Sequence, residues 1–168
     1  MENYVANVIP HLQQWWGTII VISYVIGIGL ALRALFIAAN NNNRINKNSA
    51  LLALTAAMLL LNLPSLMDSL SMTIFNQGSE QALSYSPPSH PGSIYIQFAV
   101  YAIMTIGLIG IIRGVCLLRN SSEQSRNFSK AIIHIVGGII AANIVTFLRG
   151  IGATVGGDVQ SYIAKIIG

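Results

Sequence analysis

Residues 107–118 read GLIGIIRGVCLL and residues 130–148 read KAIIHIVGGIIAANIVTFL. An arginine stands inside the first run and an asparagine inside the second, and neither run alternates polar with apolar residues as a half-buried strand does. The same order occurs earlier, in YVIGIGLALRALF at 24–36 and LNLPSLMDSLSMTIF at 61–75. Gly27, Arg33, Asn62 and Asp68 thereby recur as Gly107, Arg113, Asn143 and Arg149, at offsets of 80, 80, 81 and 81 residues. An internal repeat defines the structural unit, here a pair of apolar helices. It divides one integrated domain into a first hairpin over 1–80 and a second over 81–168. Chance similarity between apolar helices is the competing explanation.

Composition sets the solvent. Only 8% of the residues are charged and 54% are hydrophobic, against about a quarter charged in an ordinary soluble domain. Four stretches, 19–39, 50–75, 94–118 and 131–151, have the length of about 20 apolar residues that crosses a hydrocarbon core of about 30 Å. Inside lipid the backbone must satisfy its own hydrogen bonds, and long unalternated runs do so as helices rather than barrel strands. The expected fold class is all-α, an integral membrane protein with four transmembrane helices in two tandem hairpins.

The net charge of +4 is distributed for a membrane and not for sequence-specific nucleic-acid binding. Arg44 and Lys47 fall between the first two stretches, Arg119, Arg126 and Lys130 between the last two, and 76–93 contains neither Lys nor Arg. By the positive-inside rule the two basic loops face the cytoplasm, so both termini and the middle loop face outward. The first eighteen residues contain Glu2 and no basic residue, unlike the start of a cleavable signal peptide, and the first span is expected to be retained. Val5, Val8, Ile9, Leu12, Trp15 and Trp16 recur at helical spacing, which predicts an interfacial helix with its indoles at headgroup level. Val159, Tyr162, Ile163, Ile166 and Ile167 repeat that pattern at the other end; for both segments a frayed terminus is the plainer alternative.

Little here resembles an enzyme. Cys116 is the only cysteine, so no intrachain disulfide forms. His11, His90 and His134 lie in separate regions without metal-ligand spacing, and neither a phosphate-binding loop nor a nucleophile elbow is present. Catalytic, cofactor and metal sites are all expected to be absent. The glycines read instead as packing positions: Gly110 with Gly114, Gly137 and Gly138, and Gly138 with Ala142 make small-residue faces that let helices touch, and they predict self-association. Asn62 and Asn143 read as amides that fix helix register by interhelical hydrogen bonds, with a pore-lining role for Asn62 as the alternative. Pro64 predicts a kink in the second span.

The buried charges separate mechanisms. An arginine or aspartate at a span centre lies about 2.5 to 3.5 kcal/mol uphill without a partner, headgroup or water. Asp68 and Arg149, opposite in sign and equal in depth, predict an ion pair within or between chains, unless each reaches an interface separately by snorkelling. Arg33 and Arg113, with Arg44, Lys47, Arg119, Arg126 and Lys130, gather on one side of each protomer. Anionic phospholipid is the expected counter-charge, at about 1 kcal/mol for each basic residue near such a surface; the only expected non-protein component is structural phospholipid.

The second half, GLIGIIRGVCLL followed by a short polar loop and KAIIHIVGGIIAANIVTFL, resembles the small multispanning proteins of type IVB secretion systems, the IcmC/DotE family of the Dot/Icm apparatus, and their TraQ-like relatives on conjugative plasmids. The most specific piece is the spacing of His134, Gly137, Gly138 and Asn143; the first half fits in corresponding places, while the short termini and the asparagines at 40–43 depart from the pattern. The resemblance implies a non-enzymatic subunit of a bacterial inner-membrane machine that moves DNA or protein, in contact with other subunits of the apparatus. In organisation each hairpin is similar to the membrane-inserted form of conjugative type IV pilins of the VirB kind, which implies a homo-oligomer, a ring or a helical filament that stays in the membrane or extends as a pilus. A small repeat-built ion or solute transporter is the alternative, since repeats and buried charges occur there too.

Overall fold

The computed structural model describes residues 2–39, 44–76, 93–119 and 125–167. Among them every regular element is helical: α1 (Glu2–Ala39), α2 (Arg44–Leu61), α3 (Leu63–Phe75), α4 (Ser93–Arg119), α5 (Ser125–Ala142), α6 (Ile144–Val155) and α7 (Gly157–Ile167). The middle loop used for the topology reading lies outside the described residues.

Apolar length decides which helices can cross a bilayer. α1 and α4 are each long and apolar enough to cross alone, and α2 with α3 and α5 with α6 qualify only as bent pairs. Among the described residues the chain is thus all-helical, with two candidate membrane spans, or four if each bent pair is one span. The bends are 85° and 82°; a kink was expected from Pro64 in the second stretch, whereas the bend within 131–151 was not expected. A correction also concerns the start of the chain. α1 runs unbroken for 38 residues past Trp15 and Trp16, about 57 Å at 1.5 Å per residue, so no separate interfacial helix precedes the first span. Pro10 sits inside that helix.

α4 is the central element. It packs on α1, α2 and α5, and α1 also packs on α2. Tyr101, Met104, Leu108, Ile111 and Val115 recur at helical spacing along α4 and are all fully buried, giving one face of the helix to the first hairpin and its flank to α5. The Tyr101 hydroxyl accepts a hydrogen bond from Gln13 Nε2 at 2.7 Å, a polar tie from α1 to α4. Outside this core the surface is apolar: Val25, Leu32 and Phe36 on α1 and Ile106 and Ile109 on α4 are exposed, a surface suited to lipid or to protein partners rather than water. At the C-terminus Gly156 and Gly157 have φ of 69° and 59°, a left-handed conformation that glycine adopts without strain. They turn the chain so that α7 packs back on α6, with Ile163 against Gly152.

Candidate functional site

The two bends are built alike. Asn62 stands between α2 and α3 with φ −111° and ψ 28°; Asn143 stands between α5 and α6 with φ −111° and ψ 33°. At each, the asparagine N–H closes the last turn of the incoming helix, onto Met58 O at 3.1 Å and Ile139 O at 3.0 Å. Its own carbonyl then accepts the first bond of the outgoing helix, from Leu66 N at 2.8 Å and Phe147 N at 2.9 Å. The side-chain amide donates to the same incoming carbonyl, Met58 O or Ile139 O, at 3.0 Å in both. Asparagine suits this role because its short amide satisfies backbone groups that a helix end leaves open.

Pro64 is therefore not the common cause of the bends. It sits in the first turn of α3, where the missing N–H has no partner to lose, and the second hairpin bends equally with Val145 at the corresponding position. The two asparagines do differ in reach. Asn143 is buried and also donates to Ser71 Oγ of α3 at 2.9 Å, an interhelical bond that ties the second bend to the first hairpin. Asn62 is exposed and bonds its own helix, so the expected interhelical bond is found only for Asn143.

The glycines repeat as faithfully. A Cβ on Gly27 would meet Ala57 O at 3.3 Å and Leu61 Cγ at 3.0 Å; one on Gly107 would meet Gly138 O at 2.7 Å and Ala142 N at 2.6 Å. Shifted by the repeat offset, Ala57 and Leu61 become Gly138 and Ala142, so the arms cross at equivalent places, more tightly in the second hairpin. A Cβ on Gly114 would meet Ala131 O at 2.9 Å, and one on Gly110 would meet Gly138 Cα at 3.6 Å. These small-residue positions meet at the α4–α5 crossing inside the chain. Gly137 alone of the set is exposed with nothing within 4 Å of a Cβ.

The chain matches no protein-family model, no curated protein and no solved structure.

The charged residues occupy positions that the bends redefine. Asp68 and Arg149 are exposed on α3 and α6, the helices that turn off at nearly a right angle, and so do not continue the line of α2 and α5. Arg33, Arg113 and Lys130 are exposed and Arg119 is half-buried. Arg44 and Lys47 fall in the opening turns of α2, and Arg126 in that of α5, rather than in loops; their side chains lie outside the described residues. Cys116 is half-buried. Ser71 was not singled out from sequence, although Leu63, Met67 and Ser71 at four-residue spacing form the buried stripe of α3. The Gln13–Tyr101 bond likewise carried no local signal, since it links residues 88 apart.

Proposed function

We propose that this chain is a structural membrane subunit of a bacterial type IVB secretion or conjugative transfer apparatus, acting as a homo-oligomer in the translocation channel or as a pilin-like subunit. Its two hairpins are inserted in parallel in the inner membrane, with basic ends cytoplasmic and both termini periplasmic. The similarity of 107–148 to IcmC/DotE and TraQ-like proteins supports the apparatus. The observation that carries the repeat-built reading is the doubled bend at Asn62 and Asn143.

Helix length supports the orientation. α2 and α5 have 18 residues each, about 27 Å at 1.5 Å per residue, close to the hydrocarbon thickness of about 30 Å. Starting from basic cytoplasmic turns, both arms reach the far interface where they bend. α3 and α6 then lie along that interface as amphipathic helices, which brings Asp68 and Arg149 to headgroup level. Anionic phospholipid neutralises the basic side and other apparatus subunits dock on the assembly.

Helices broken at corresponding positions of two repeats also occur in transporters, whose substrate sites lie at such breaks near the bilayer midplane. The transporter reading is the less favoured one because the bends stand a full membrane thickness from the basic ends. Deleting the chain from a donor cell tests the proposal: DNA or protein transfer should fall by orders of magnitude and return with the intact gene. Undiminished transfer would refute it. Reporters at Asn46 and Ser86 should read cytoplasmic and periplasmic respectively, and the reverse would refute the orientation.

A further inference from the structure

We propose that copies of this chain associate head to tail, with the outer ridge of α1 of one copy seated between α4 and α5 of the next, as α4 is seated on α1 and α2 within the chain. The inference rests on the reading of the chain as a homo-oligomer and names the two surfaces that make it.

The repeat supplies the argument. In the first hairpin Ile19, Ser23 and Leu30 of α1 and Ala53, Ala56 and Leu60 of α2 are all buried, in a hairpin on which α4 packs against both arms. Shifted by 80 or 81, these positions become Ala99, Ile103, Gly110, His134, Gly137 and Ala141, none of which is buried. Ser23 and Ala56 are 0% exposed, whereas Ile103 is 39% exposed and Gly137 lies open. Positions at the closest approach of the two arms behave differently: Gly27, Ala50 and Ala57 are buried, and so are Gly107, Ala131 and Gly138. The first set has less cover in the second hairpin, where α5 packs chiefly on α4, whereas α2 packs on both α1 and α4. Of these less covered positions Gly110, His134, Gly137 and Ala141 line a surface groove, together with Ile106.

The complementary surface is present on α1. α4 presents Tyr101, Met104, Leu108 and Val115 to the interior, all fully buried. Their counterparts Val21, Tyr24, Ile28 and Leu35 are exposed, Ile28 by 52% against 0% for Leu108. Among the described residues each chain therefore carries an exposed ridge on α1 and an open seat on α4 and α5, related as the two halves of an interface it already contains. Filling a seat with the next copy's ridge leaves another seat open, so the contact is heterologous and generates a ring or a filament. A second copy is the occupant because the ridge that fits this kind of seat is encoded in the chain itself.

The test uses the full chain in cell membranes, in a Cys116→Ser background. A chain carrying both Ile28→Cys and Gly137→Cys, treated with a short bis-maleimide, should give a ladder of dimer, trimer and higher species. The chain with Ile28→Cys and Val136→Cys should not, because Val136 and its counterpart Thr55 are both exposed and belong to neither seat. Gly137→Trp should remove at least nine-tenths of the ladder formed between other α1 and α5 cysteine pairs, such as Tyr24→Cys with Ala141→Cys, while within its own chain nothing described lies within 4 Å of a Cβ there. A species stopping at dimer, equal linking through Val136, or no linking overturns the proposal, lipid alone then covering both faces. DNA or protein transfer measured in parallel keeps the two claims apart. Normal transfer without a ladder removes only this interface; a ladder lost in Gly137→Trp with transfer unchanged keeps the interface and contradicts its place in the transfer apparatus.

Discussion

Replacing Asn143 by alanine should weaken the chain far more than replacing Asn62, although the two residues share backbone geometry. Asn143 is buried and its amide serves Ile139 O and Ser71 Oγ, at 3.0 and 2.9 Å. Asn143→Ala removes the only interhelical bond of the pair and leaves a fully buried serine oxygen without that donor, a loss of about 1 to 3 kcal/mol. Asn62 is exposed and its amide serves Met58 O alone, a carbonyl that the backbone N–H already satisfies at 3.1 Å; Asn62→Ala should cost about 0.5 kcal/mol or less. Pro64 reinforces the asymmetry. It keeps α2 from continuing into α3 even without Asn62, because its ring clashes with the carbonyl four residues back, whereas no proline guards the second bend. The assay is reversible unfolding in mixed micelles, with a double-mutant cycle between Asn143→Ala and Ser71→Ala. Interhelical bonds in membranes couple by about 0.6 to 1.7 kcal/mol, and that range is expected. Additive single effects, or equal losses at Asn62 and Asn143, would refute the reasoning.

Two further outcomes follow from distances at the crossings. Gly107→Ala drives a Cβ to 2.6 Å from Ala142 N and 2.7 Å from Gly138 O, so the arms must separate, at a cost of at least about 1 to 3 kcal/mol, whereas Gly137→Ala should be neutral or stabilising by up to about 1 kcal/mol; thermal unfolding in detergent compares them. Tyr101→Phe removes the acceptor of the 2.7 Å bond from Gln13 and should cost about 1 kcal/mol, and Gln13→Leu in that background should cost little more.

The helical class and the pairing of arms were legible from apolar run length and from the offsets of four residues, because lipid leaves a backbone few alternatives. The bends were not. Mean hydropathy stays high across Asn62 and Asn143, and a polar residue inside an apolar run reads equally as an interhelical clasp or as a helix end. Pro64 pointed to a distortion in one hairpin only, and its absence from the other concealed that asparagine was the shared cause. The depth expected of Asp68 and Arg149 rested on counting along unbent helices, whereas both stand six residues beyond a near-right-angle turn. Gly110, Gly114, Gly138 and Ala142 were recognised as packing positions, but sequence alone does not say whether the facing helix belongs to the same chain. The groove around Gly137 emerged only when burial was compared between the repeats.

Accessibility of single cysteines to a membrane-impermeant maleimide, scanned through 50–75 and 131–155 in intact membranes, bears most directly on the doubled bend. The account predicts unbroken protection up to Leu61 and up to Ala142, and then a helical period in both: labelling at Asp68 and Ser69 with protection at Met67 and Ser71, and labelling at Arg149 with protection at Val145 and Gly152. Unbroken protection through Phe75 and Ile151, as two straight spans would give, would contradict it.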